Sequence, residues 1–145
     1  MILDLVTVLC TGLFAGAAIY VTLVEHPARL ECGTTLARAQ FRPSYRRAAV
    51  MQASLAGVGC LAGLAGWALG HGVPLLVSAL LLGAAIPFTL IVILPTNKRL
   101  LDPALDRESP EAAALLARWG RLHAVRSALS GVAFVLLGLY LTGVL

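Results

Sequence analysis

The chain has 145 residues, 59% hydrophobic and only 12% charged, with a mean hydropathy of +0.90. A soluble domain carries roughly a quarter charged residues, so this composition excludes that class and calls for lipid around most of the surface. A spanning helix takes roughly 20 apolar residues, and four apolar runs fit, at about residues 5–26, 48–69, 75–95 and 119–142. The expected fold class is all-α: an integral membrane four-helix bundle forming a single domain over residues 1–145.

Met1-Ile2-Leu3-Asp4 lacks a basic leader, and no small-residue cleavage signal follows the first run, which therefore reads as a retained span. Gly12 and Gly16 within it have the spacing that lets helices approach closely in lipid. After Glu25-His26-Pro27 comes a polar segment, Arg29 to Arg47, whose middle has room for a short surface helix limited by Pro43. The second run repeats the small-residue spacing at Gly59 with Gly63 and at Gly66 with Gly70. Trp67 reads as an interfacial aromatic and His71 as plain loop. In the third run Pro87 marks a kink. Pro110-Glu111 then starts an amphipathic extension that runs through Trp119 into the fourth span.

All 11 Lys and Arg residues fall in the first and third connections or at the adjoining helix ends. Four spans place these regions on one membrane face. Such a split predicts that this face is cytoplasmic, with both termini outside, as in a bacterial inner membrane. It also removes any nucleic-acid reading of the net charge of +4. Arg38, Arg42, Arg107 and Arg118 read as loop arginines near anionic lipid headgroups. Cys10, Cys32 and Cys60 form no CxxC or CxxCH pattern, so no zinc knuckle or covalent haem is signalled.

The same end gathers polar groups from every span. Glu25 and His26 close the first, Gln52 enters the second, and Asn97, Lys98 and Arg99 close the third. Trp119, His123 and Arg126 share one face of the fourth helix. Ionisable groups inside a span usually face the bundle interior or a wet cavity. A structural network pinning the helix ends together is one reading, and a ligand or reaction site is the other. His26, His123 and Glu25 also make up a two-histidine, one-carboxylate set suited to non-haem iron, or to copper. Tyr20 sits about one and a half turns from His26, where packing or cavity lining are both open.

The strings GLFAGAAIYVTLVEHPARL, PFTLIVILPTNKRLLDP and LLARWGRLHAVRSALS resemble, in the same order, the signature segments of the anthrone oxygenase family of small membrane proteins. The resemblance covers essentially the whole chain. It implies a monooxygenase-type oxidation of a hydrophobic aromatic substrate, an anthrone, by dioxygen. A base removes a methylene proton, the enolate reduces dioxygen, and the resulting peroxide loses water to leave a quinone. On this resemblance His26 is the candidate base with Glu25 setting its tautomer, and Asn97 hydrogen-bonds the enolate or peroxide oxygen. Trp119 stacks on the substrate, His123 is a second base or metal ligand, and Arg126 stabilises the anion. Tyr20, Gln52 and Arg99 are further candidates for substrate binding. No cofactor is required by this route, and iron or copper is the alternative. The expected partners are the small hydrophobic substrate, dioxygen and membrane lipid, with a homo-oligomer left open by the glycine spacings.

Two rival functions carry different expectations. A small transporter subunit requires ionisable groups at several depths, and the far halves of the spans have none beyond Asp4 at the terminus. A non-catalytic scaffold requires only that the arginine-rich end hold lipid or a partner.

Overall fold

The computed structural model describes residues 1–145 and is helical throughout, without strands. Four helices are long and apolar enough to cross a membrane: α1 (Ile2–Glu31), α2 (Thr34–Ala68), α3 (Val73–Leu101) and α4 (Pro110–Leu141). α1 and α3 each pack on both α2 and α4, so successive helices are antiparallel neighbours in an integral membrane four-helix bundle. Leu9, Leu13, Leu61 and Ile91 point outward and are exposed, the arrangement expected when the surrounding solvent is hydrocarbon. Close packing falls to small residues instead. A Cβ on Gly63 of α2 would stand 2.6 Å from the Ala79 Cβ of α3, so these two backbones can approach only at a glycine. The expected partnership of Gly12 and Gly16 is uneven. Gly12 lies under the Phe134 ring, while Gly16 has no neighbour within 4 Å.

The polar segment after the first span is helical over most of its length. The chain breaks only at Cys32-Gly33, where Gly33 takes φ 83°, and α2 then runs unbroken through Pro43. A proline inside a helix removes one hydrogen bond and crowds the preceding turn. Neighbouring turns anchored elsewhere let the helix survive it. Arg38 provides that anchor. Its guanidinium donates to the carbonyls of Leu105 (2.6 Å), Leu100 (3.2 Å) and Asp102, clamping α2 to the end of α3. Arg38 is therefore a buried staple, not the headgroup arginine that its place in a polar loop implied. Asp102, just beyond α3, accepts the Ala104 backbone N–H at 2.9 Å. That bond, aided by Arg99, holds its carboxyl below the usual carboxylate range.

Two helices share an irregularity. α1 widens into a π turn over Val21–Glu25, and α3 does so over Thr89–Ile93. In each case a proline, Pro27 or Pro95, follows two residues later. The carbonyl four residues before each proline, on Leu23 or Ile91, cannot receive an α-helical bond from it, and both lie in the middle of the widened turn. Single π turns are frequent at functional sites. Here they place His26 and Asn97 at the same end of the bundle.

The amphipathic extension forms the start of α4, which is continuous from Pro110 through Trp119 to Leu141. Ser109 caps it by accepting the Ala112 N–H at 3.1 Å. At the opposite end His71 is not a bare loop residue, since its Nδ1 lies 2.6 Å from Asp4 Oδ1.

Candidate functional site

A cavity of about 190 Å³ lies between the four helices in their arginine-rich half. Phe14, Val21, Phe41 and Trp119 supply apolar walls, and Gln52, Asn97, His123 and Arg126 supply polar ones. Drug-sized ligands occupy roughly 300–1,000 Å³, so this space suits one compact molecule. Its side toward lipid lies between α2 and α3, where the exposed Ala53 faces the exposed Ile86 and Leu90. Alanines at 48, 49, 53 and 56 keep the α2 wall low.

Trp119 is the hub of the aromatic wall. Its ring stacks on His123 at 4.7 Å, meets Phe41 edge-on at 5.2 Å and lies 5.1 Å from His26. His26 reaches this position because Gly120 has no side chain. A Cβ there would stand 2.5 Å from His26 Nε2. His26 therefore sits behind Trp119, outside the cavity lining, while His123 forms part of it. The His123 Nδ1 is 3.1 Å from the Thr22 hydroxyl, which leaves Nε2 as its free nitrogen.

Two arginines in the cavity lining, Arg29 buried and Arg126 half-buried, differ in their counter-charges. Arg29 is paired with Glu25, and the same carboxylate oxygen accepts from Ser44 at 2.6 Å and Gln40 at 2.9 Å. The Arg29 guanidinium also lies over the Trp119 and Phe41 rings at 5.6 and 5.8 Å. Arg126, by contrast, makes no ion pair. It donates to Gln52 Oε1 at 2.6 Å and lies over the Phe14 ring at 5.4 Å. Several buried polar atoms around the cavity lack partners: both amide atoms of Asn97, Gln52 Nε2 and Arg126 Nε. Asn97 is 1% exposed. Leaving such a group unsatisfied costs about 1–3 kcal/mol, and Asn97, Gln52 and Arg126 all belong to the cavity lining.

The bundle thus brings together His123, Arg126, Asn97, Gln52 and Trp119. His26 stays one layer back, and Glu25 binds Arg29, Ser44 and Gln40 instead of orienting His26. No three His, Cys, Asp or Glu side chains gather as a metal-holding group, so Glu25, His26 and His123 are not assembled into the expected triad. Tyr20 is 56% exposed on the outer face of α1. Six residues are about 1.7 helical turns, so Tyr20 and His26 point in different directions. Arg99 also points outward, bound to Glu111 at 2.7 and 3.0 Å and to Asp102 at 2.7 Å. Phe41 and Ser44, which the sequence did not single out, line the cavity together with Tyr45, which precedes Gln52 on α2. Their three- and four-residue steps carry that signal once the segment is read as helix.

These features define a small four-span membrane protein with an interior cavity, apolar walls and a cationic polar end. The family model described as anthrone oxygenase matches residues 41–136, and the chain belongs to that family. It is 32% identical over 141 residues to the anthrone oxygenase tpcL of Aspergillus fumigatus, covering 88% of this chain and 86% of that one. No solved structure matches it.

Proposed function

We propose that this protein is a membrane oxygenase that oxidises a flat, hydrophobic hydroxyaromatic ketone of the anthrone class with dioxygen. The observation that carries this reading is Arg126, a half-buried cation in the cavity wall with no carboxylate partner. A charge in such a place is strongly disfavoured unless something compensates it. A substrate that becomes an oxyanion during turnover supplies the missing charge at the moment it is needed. Family membership and the relative's activity agree with this chemistry.

The substrate enters from the bilayer between α2 and α3 and lies against Trp119 and Phe41. His123 Nε2 removes a proton from the activated methylene, and the electron pair delocalises onto the ketone oxygen. Arg126 and Asn97 hold that oxyanion, the kind of preorganised stabilisation that contributes most when it is aimed at developing charge. Dioxygen accepts the electron pair in stepwise fashion as the carbon–oxygen bond forms, giving a peroxide. Loss of the second methylene proton with cleavage of the O–O bond leaves a carbonyl and water. The electron balance closes on substrate and dioxygen alone, so the proposed route is cofactor-free. Compared with the sequence-based expectation, the base role moves from His26 to His123, and His26 becomes the support behind Trp119. The arginine-rich end is proposed to face the cytoplasm of a bacterial inner membrane.

Oxygen uptake by purified protein in nanodiscs, with an anthrone as substrate and quinone absorbance as second readout, tests the reading. Equimolar uptake and quinone formation, lost about 10²–10⁴-fold in His123→Gln as for removal of a general base, is the expected result. Metal analysis of the same samples accompanies it. Turnover that tracks stoichiometric iron or copper sinks the cofactor-free route, and no turnover above the autoxidation of free anthrone sinks the oxygenase reading.

A further inference from the structure

The hydroxyls of Thr22 and Ser127 form a chain behind His123, and their order determines which ring nitrogen carries the proton. Ser127 Oγ lies 2.9 Å from the Ala18 carbonyl oxygen and 3.2 Å from the His123 carbonyl oxygen. Neither carbonyl has a hydrogen to give, so the arrangement that satisfies the 2.9 Å contact with Ala18 places the one hydroxyl hydrogen of Ser127 on that carbonyl. Ser127 Oγ then acts as acceptor toward Thr22, whose hydroxyl is 2.7 Å away. The single hydrogen of Thr22 is thereby committed to Ser127. In that arrangement the Thr22 oxygen, 3.1 Å from His123 Nδ1, acts as acceptor, and Nδ1 is the protonated nitrogen.

The threonine is set apart from others in the bundle. Thr7, Thr11 and Thr89 return their hydroxyls to the carbonyl four residues back in their own helix, the usual habit of a helical threonine. Thr22 sits in the π turn of α1 and reaches across to α4. Ser127 is four residues beyond His123 on α4, so both partners face α1 on one side of that helix.

We infer that Thr22 and Ser127 are positioning residues that hold neutral His123 as the Nδ1–H tautomer, with the Nε2 lone pair free for the cavity. The chain ends on a backbone carbonyl, which cannot pass a proton onward. It therefore orients the imidazole without draining it. A proton that Nε2 takes from a substrate carbon stays on the ring while the carbanion pair bonds to dioxygen. The peroxide anion then takes that proton back, leaving a neutral hydroperoxide and a neutral His123. The catalytic meaning rests on the oxygenase reading above; the tautomer itself does not.

The test is ¹⁵N NMR of detergent-solubilised full-length protein labelled at the histidine rings, with His123 identified by the signals missing in His123→Gln. Wild type is expected to show a protonated-type shift at Nδ1 and an unprotonated-type shift at Nε2 of neutral His123. Thr22→Val should lose that pattern, and Thr22→Ser should keep it. Oxygen uptake should follow, with kcat about 10–100-fold lower in Thr22→Val, as when a residue orienting an imidazole is lost. KM should be unchanged, and kcat largely restored in Thr22→Ser. Wild-type His123 carrying its proton on Nε2 overturns the inference, and so does Thr22→Val with both tautomer and kcat intact. The expected tautomer without any oxygen uptake leaves the positioning in place and counts against the oxygenase reading alone.

Discussion

Arg126 gives one guanidinium nitrogen to the Gln52 side-chain oxygen at 2.6 Å, and no carboxylate pairs with either residue. A neutral amide orients the cation without cancelling its charge. A charge without a counter-ion inside a span is costly, and apolar residues of similar volume remove that cost. The paired change Arg126→Met with Gln52→Leu should therefore leave the melting temperature in detergent unchanged or higher. Turnover should fall about 10²–10³-fold, the usual loss for an oxyanion donor. Opposite signs on stability and activity would identify Arg126 as kept for chemistry. Near-normal turnover in the double variant would remove it from the mechanism.

Gly120 and His26 make a second linked pair. The methyl of Gly120→Ala would press on the imidazole at 2.5 Å from Nε2 and 2.7 Å from Cδ2, and the ring has Trp119 beside it. Overpacking of this kind costs about 1–3 kcal/mol. The single variant should melt lower, while adding His26→Ala should relieve the strain, so the two changes combine non-additively. Additive losses in thermal unfolding would show that the ring is not held against Gly120.

The four spans and the segregation of charge were legible because lipid imposes long apolar runs and a one-sided distribution of arginine. The polar residues at one end were legible for the same reason: ionisable groups stand out against an apolar background. What periodicity could not deliver was the direction in which each of them points. Two π turns change the angular register just before His26 and Asn97, so spacing rules for an ideal α-helix fail where the site begins. Pairing was also hidden. Glu25 lies beside His26 in sequence yet serves Arg29, Ser44 and Gln40. Arg38 looked like a surface arginine because its acceptors are backbone carbonyls far along the chain, which leave no trace in side-chain chemistry.

Arg38 is accordingly expected to matter for folding and not for turnover. Each hydrogen bond from a charged group to a buried acceptor contributes about 1.5–3 kcal/mol, and two of the three carbonyls lie in the connection after α3, where water can replace the guanidinium. Arg38→Ala should cost roughly 2–4 kcal/mol by the same reasoning. Limited proteolysis should show earlier cleavage between Asp102 and Ser109, with kcat per folded molecule unchanged. A normal digestion pattern would show that the staple is dispensable.

The low wall of alanines on α2 predicts where substrate passes. Ala53→Trp places a bulky side chain at the exposed edge of the cavity, where Ile86 and Leu90 also lie. A change that obstructs entry and initial binding raises KM while leaving the chemical step alone. The expected result is a KM about tenfold higher for a tricyclic substrate with kcat within about twofold. An unchanged KM would place the entrance elsewhere, toward the arginine-rich surface.

Cys32 offers a direct check on orientation because it is the exposed thiol of the three free cysteines, while Cys10 is buried and Cys60 half-buried. It lies in the break between α1 and α2, at the end that carries the cations. The asymmetry of Lys and Arg predicts that this end stays in the cytoplasm. A membrane-impermeant maleimide should label the protein in inverted bacterial inner-membrane vesicles and fail to do so in right-side-out vesicles until they are lysed. Cys32→Ser should abolish the signal, which ties the labelling to that position. Labelling of intact right-side-out vesicles would invert the topology and put the cavity's polar end outside, where the proton and oxygen supply differ.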